Sequence, residues 1–274
     1  MQRLVAYGSL LAAFMLGACA TGAPPTPQSA PPKTLSSAGF TVARTALVDE
    51  TNHMQKHVDR AKQIVYFQNF GGGGAGLGVL LGPIGVAANI SMIDGVTQKD
   101  VDQIKNRIAI DPGALFTDAA KRHNLTASQG GDAPRVTPYL LLSKANETTV
   151  LAAAALIVEQ GQGATLWRGK YMLQLPRSYS VAELAALDAT GTEQLRQATA
   201  QGFDALLVRL QAEATARADG EKAITFKSDL LSPRFDFEMS GRLIADDGQL
   251  AWVRVIGGVF AVRKPNIQYT LSKS

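Results

Sequence analysis

The stretch VTPYLLLSKANETTVLAAAALIVEQGQGATLWRGKYMLQL, residues 136–175, decides the class of fold. It divides into three runs rich in aliphatic, β-branched and aromatic side chains: Val136–Leu142, Thr149–Glu159 and Ala164–Leu175. Runs of this composition, bounded by polar residues and glycine, predict strands. Gly161-Gln162-Gly163 predicts a hairpin turn between the last two.

Helical patterns flank the strands. On the N-terminal side, Val101, Ile104 and Ile108 predict a short helix. Asp111-Pro112 then reads as an N-cap followed by proline at the first helical position, with Leu115, Phe116, Ala119 and Ala120 as the apolar face. On the C-terminal side, Ser180-Val181-Ala182-Glu183 fits a capping box. An amphipathic helix is predicted over Glu193–Arg217 through Leu195, Ala198, Phe203, Leu206 and Leu210.

Beyond it the period changes to two. Phe235, Phe237, Met239, Gly241 and Leu243 alternate with Arg234, Asp236, Glu238, Ser240 and Arg242, the pattern of a strand with one wet face. Asp246-Asp247-Gly248 makes a turn, Leu250–Ile256 returns, and Gly257-Gly258 leads into a run through Phe260 and Val262. The prediction is an α+β body over residues 97–274, a mainly antiparallel sheet packed with amphipathic helices.

Residues 40–96 precede that body. Val42, Leu47, Met54, Val58, Ala61 and Val65 recur mostly at three, four or seven, which predicts a helix from Phe40 to Gln68. Its end, Gln63–Gln68, also suits a strand. The segment GGGGAGLGVLLGPIGVAA, residues 71–88, holds eight of the chain's 26 glycines, and no charged side chain occurs from Gln63 to Ile93. Gly74, Gly78 and Gly82 stand four apart, a spacing that lets helices approach closely. An oligomer or membrane contact and a loop leading into a short buried hairpin both fit these residues. Pro83 and the glycines argue against a spanning helix.

The N-terminus carries the most specific signal. In MQRLVAYGSLLAAFMLGAC, Arg3 supplies a positive charge and Leu4–Leu16 an apolar run of secretory length. Leu16-Gly17-Ala18-Cys19 resembles the lipobox of bacterial lipoproteins. That resemblance implies a signal peptide over residues 1–18 and acylation of Cys19, with palmitate among the chains. Cys19 is the one cysteine in the chain, and more than one acyl chain suffices for stable anchoring. Ala20 and Thr21 rather than an aspartate follow Cys19, which by the same resemblance implies the outer membrane. Residues 19–39 contain five of the twelve prolines and predict a semi-rigid extended spacer. The order of helix, strands with a G-x-x-L-W step at Gly163–Trp167, and helix resembles small envelope assembly lipoproteins with a helix-on-sheet layer. The curli secretion lipoprotein and the N-terminal domain of the Tol translocation β-propeller are of that kind. The resemblance implies the layer and leaves function open.

Composition bounds the partners. The 274 residues are 46% hydrophobic and 18% charged, with net charge +4, which excludes a disordered chain and a multi-span membrane protein. Twenty-seven Lys and Arg stand against 23 Asp and Glu without a basic run, so nucleic acid is not an expected partner. Gly71, Gly73 and Gly76 satisfy G-x-G-x-x-G with Asp94 further on, but a four-glycine run does so trivially and no Gly-Lys-Ser/Thr follows. Glu50, His53 and His57 would share a helical face, yet Met54 stands where a zincin needs glutamate. No G-x-S-x-G or S-x-x-K occurs. Asp236 and Glu238 read as solvent-side residues, and Trp252 and Tyr269 as core or as the lining of a lipid or peptide groove. The expectation is a non-enzymatic, periplasm-facing envelope scaffold or assembly accessory. It has no cofactor or metal, sits on the bilayer through Cys19, has an envelope protein partner and is compatible with a homo-oligomer. The alternatives are a carrier or sensor of a hydrophobic ligand and a carboxylate-based hydrolase.

Overall fold

The computed structural model describes residues 28–32, 35–45, 47–48, 54–68, 91–128, 133–213, 220–234 and 236–272. Cys19, Glu50, His53, Gly74, Gly78, Gly82 and the whole of 71–88 lie outside these residues. Along the chain come α1 (Leu35–Ala38), β1 (Thr41–Val42), β2 (Gln55–Asp59), β3 (Ile64–Gln68), α2 (helical over 91–104) and α3 (Pro112–Arg122). Then follow β4 (Arg135–Lys144), β5 (Val150–Gln160), β6 (Trp167–Tyr179), α4 (Val181–Ala185) and α5 (Ala189–Glu213). Five strands end the chain: β7 (Lys222–Ser228), β8 (Met239–Asp246), β9 (Leu250–Val255), β10 (Gly258–Arg263) and β11 (Ile267–Leu271).

All strands belong to one sheet in the order β11-β7-β8-β9-β10-β6-β5-β4-β3-β2, with β1 on the start of β4. Pairing is antiparallel except for β3 with β4, β1 with β4, and β6 with β10. The fold is therefore α+β with a mainly antiparallel sheet. The three central runs are β4, β5 and β6, and Gly161, at φ +85°, turns the chain after β5. A Cβ there would stand 2.6 Å from the Thr165 carbonyl oxygen, so the turn needs glycine.

In the stretch predicted as a helix from Phe40 to Gln68, the described residues instead form β1, β2 and β3, and the strand reading of Gln63–Gln68 holds as β3. Val58 and Val65 do point inward, but from strands: the ladders to β4 satisfy backbone groups that a helix would have satisfied internally. Because β3 lies directly on β4, residues 40–96 and 97–274 contribute to one sheet and are not separate units. The spacer is also shorter than residues 19–39. Leu35 and Phe40 are buried in the core, and Gln28 is already hydrogen-bonded to the sheet.

The sheet has two covered faces. On the first, α2, α3 and α5 bury Ile64, Tyr66, Leu140, Leu142, Ala152, Ala154, Leu156 and Leu173. On α3 the Asp111 carboxylate accepts from the N–H groups of Gly113 and Ala114, as the N-cap reading requires. Ser180 and Glu183 close the capping box of α4. Phe116 of α3 meets Phe40 and Phe203 edge to face, at 5.4 and 5.9 Å. Strand β5 is buried on both sides, which is why its apolar run is unbroken.

The small side chain at Ala154 of β5 has a packing reason. Gly202 of α5 rides so close that an added Cβ would lie 2.7 Å from Cβ of Ala154 and 3.1 Å from a Leu175 methyl. Larger side chains on either element would separate the layers. Gly202→Val is expected to destabilise the fold by about 1–3 kcal/mol, offset by less than about 1 kcal/mol of helix propensity. Urea denaturation followed by circular dichroism checks this; an unchanged midpoint would contradict the close approach.

Candidate functional site: an apolar recess on the second face

The second face is covered by the chain's own C-terminal strands. Tyr139, Leu141, Ala153, Ala155, Met172, Val253 and Phe260 join one cluster with Ile224 and Phe226 of β7, Leu230, and Ile267 of β11. Strands β7 and β11 stand at one end of the strand order and β4 near the other, so the sheet must bend for these residues to meet. The segment after β7 crosses that bend. The Ser143 hydroxyl of β4 donates to the Leu230 carbonyl at 3.0 Å, and Arg234 pairs with Glu147 beyond the end of β4.

Beneath this crossing lies a recess of about 560 Å³, inside the range of roughly 300–1,000 Å³ usual for small-molecule sites. Its walls include Val65 and Phe67 of β3, Tyr139 and Leu141 of β4, Ile157 of β5, Met172 of β6 and Phe260 of β10. Leu230 and Leu231 form the lid side. Lys170 pairs with Ile157, which lies opposite Thr137, whereas Phe67 pairs with Ser143. The six residue steps from Thr137 to Ser143 make the recess about 20 Å long along β4. Phe237 (53% exposed) and Ile256 (67% exposed) line it and face outward, so they mark its mouth.

Few polar groups reach this space. Gln55, Lys170, Glu238 and Ser240 do so, and Glu238 is exposed at the rim. Lys170 is half-buried, and no hydrogen-bond or ion-pair partner of its Nζ occurs among the described residues. Burial, then the nearby Arg168, lowers its pKa below the ordinary lysine value. Burial also pushes the Tyr139 phenol up, against a weaker opposing effect of Arg168. The nearby Glu159 is engaged twice, by Arg135 at 3.0 Å and by Arg168 at 3.6 Å.

The end of the N-terminal segment is sewn in beside Lys170. The backbone N–H of Gln28 donates to the Val255 carbonyl at 2.9 Å. Its Oε1 accepts from the Lys170 backbone N–H at 2.9 Å, and the Ser29 hydroxyl accepts from the Trp167 indole at 3.1 Å. Val255 and Lys170 both line the recess, so the chain enters the fold at its wall.

Of the described residues singled out from sequence, Glu238 reaches the rim of the recess and the other candidates fall elsewhere. His57 lies on strand β2, not on a helix, so the helical spacing with His53 does not hold. No group of metal-ligating side chains occurs among the described residues. Asp94 pairs with Lys56 at 2.5 Å. Asp236 and Glu238 precede β8 instead of sharing a strand face, and Asp236 pairs with Lys227 at 2.6 Å. Trp252 packs on the helix-covered face and Tyr269 on the other, so these two rings share no groove. Lys170 was not singled out. The alternation Arg168, Lys170, Met172 against Gly169, Tyr171, Leu173 was visible, but it does not say which face is covered.

No family model matches the chain, and neither does a curated protein or a solved structure. Among the described residues, no helix is long and apolar enough to cross a membrane.

Proposed function

We propose that the protein is a lipid-anchored envelope protein, held at the outer membrane through Cys19, that binds a hydrophobic ligand without chemically changing it. The observation that carries this reading is the recess itself: an apolar cavity of about 560 Å³ with few polar groups. A scaffold needs a docking surface, whereas here the apolar side chains line an interior space. The anchor supports the same reading. Nine residue steps lead from Cys19 to Gln28, a reach of about 30 Å when fully extended. The recess wall therefore stays within that distance of the bilayer, with Phe237 and Ile256 at the mouth.

The test is solvent extraction of the purified acylated protein, followed by mass spectrometry of both extract and intact chain. Acyl chains are expected on Cys19, together with a co-purifying apolar compound near one equivalent. Met172→Trp, which fills the recess, is expected to lose that compound while keeping the circular dichroism spectrum. Equal amounts from both proteins, or none from either, would overturn the reading.

A further inference from the structure

Three cations stand on one sheet face at one end of the recess: Lys170 in its wall, Arg168 two residues back, and Arg135 across Glu159. The carboxylate among them, Glu159, serves both arginines. Glu238 stands exposed at the rim, so among the described residues no carboxylate pairs with the Lys170 ammonium in the recess wall. Such a group lowers stability, because burial removes water from a charge and nothing replaces it. A position that weakens the fold and sits in a cavity wall is the pattern of a binding site. The position within the recess matters as well. Lys170 stands in the row of Ile157, beside Gly257 of the β9–β10 turn, at the end where Ile256 opens to solvent. From there the lining is mainly apolar toward Leu141, Val65 and Phe67, with Gln55 beside Phe67.

We infer that the ligand is a single-chain anionic amphiphile, its acyl chain lying along the recess and its carboxylate or phosphate head paired with Lys170. This inference rests on the ligand-binding reading above and narrows it to a chemical class. An elongated cavity of about 20 Å suits a chain better than a ring system, given the strand spacing that sets its length. A charge-assisted hydrogen bond from Nζ to an anionic oxygen supplies the missing partner, and it is stronger than a neutral one because the surroundings are dry. A neutral amphiphile of equal length would bury the same apolar surface and leave the ammonium unpaired.

The test uses the acylated full chain in phosphatidylcholine vesicles and two photoactivatable probes of twelve carbons, a carboxylate and the matching primary alcohol. Labelled residues are mapped by peptide mass spectrometry, which separates recess labelling from probe dissolved in lipid. The carboxylate is expected to label recess residues such as Met172 and Leu141 about tenfold more than the alcohol, the scale of one hydrogen bond to a charged group. A phosphate-headed probe of the same length distinguishes the two head groups. Lys170→Met is expected to abolish the preference and Lys170→Arg to retain it. Lys170→Met is also expected to leave the unfolding temperature unchanged or raise it, so lost binding cannot be ascribed to misfolding. Equal labelling by acid and alcohol, unaffected by Lys170→Met, would overturn the charged-head inference and leave the apolar recess standing. Labelling by neither probe would overturn both.

Discussion

Arg254→Ala is expected to destabilise the protein by about 3–5 kcal/mol, the usual cost of removing one partner from a buried ion pair. At roughly 2–4 °C per kcal/mol for a fold of this size, the unfolding temperature falls by about 6–20 °C. Arg254 lies on β9 with its side chain against the last described residue of α5. Its Nη1 donates to Glu213 Oε2 at 2.6 Å and its Nη2 to Glu213 Oε1 at 2.9 Å. It also donates to Glu221 at 2.7 Å. Burial works against the arginine's charge, and the two carboxylates outweigh it, so its pKa stands above the ordinary arginine value. The Glu213 side chain is fully buried. Arg209, one turn back on α5, also reaches Glu213, but it cannot replace the bidentate pairing. Removing Arg254 strands carboxylates in the interior and frees the end of α5 from the sheet. Replacing Arg254, Glu213 and Glu221 together with methionine is expected to recover most of the loss, since an apolar cluster of similar volume needs no ion pairing. Thermal unfolding of both variants checks this. A single variant within 1 °C of the parent would contradict it.

The second large effect is expected at the opposite side of the helical layer. Asp100 of α2 accepts from the Tyr66 hydroxyl at 2.8 Å and from the Lys144 ammonium at 2.6 Å. Tyr66 and Lys144 are both buried. Asp100→Ala leaves an ammonium without a partner inside the protein, again at about 3–5 kcal/mol. Asp100→Asn keeps an acceptor for Tyr66 and is expected to lose less. The loss should be local before it is global, because Gln68 still donates to Thr97 at 2.7 Å and holds the helix one turn before Asp100. Hydrogen exchange over residues 91–104 is expected to quicken more than over β5. The same site sets an alkaline limit. Burial, then the bond to Asp100, raises the Tyr66 pKa above its ordinary value. The fold therefore favours the protonated phenol, and its contribution is full below pH 10 and declines as pH rises further. Tyr66→Phe is expected to flatten that decline. Unchanged exchange over 91–104 in Asp100→Ala would show that this cluster does not hold α2.

Both clusters were invisible in the sequence, for one reason. Arg254, Glu213 and Glu221, or Tyr66, Asp100 and Lys144, come from different elements and meet only when the layers close. The elements themselves were legible where local chemistry specifies them. Asp111-Pro112 and Ser180–Glu183 announce helix starts because a cap is made by neighbours in sequence. The Asp246-Asp247-Gly248 turn is equally local: Asp246 accepts from the Gly248 N–H, and Asp247 from the N–H groups of Gln249 and Leu250. The long strands β4, β5 and β6 carry enough residues to declare their type.

Short strands with distant partners were legible only in part. The composition of Gln63–Gln68 suits β3, but β2 and β3 have five residues each, too few to establish a period of two against an apolar spacing of three and four. What makes them strands is β4, whose paired residues lie 76 positions beyond those of β3 (Ile64 with Leu140). β7 and β11 were unmarked, and they become strands by pairing with each other and with β8.

The recess shows the same division. Composition and periodicity place a buried antiparallel sheet centre at residues 136–175 with capped helices beside it, because both are local properties of the chain. The enclosure of the face bearing Lys170 is not local: it arises when the sheet bends and the segment through Leu230 and Leu231 crosses it. Enclosure turns an ordinary solvated lysine into an unpaired charge in an apolar cavity, because the cost of a charge depends on the water excluded around it and not on its neighbours in sequence.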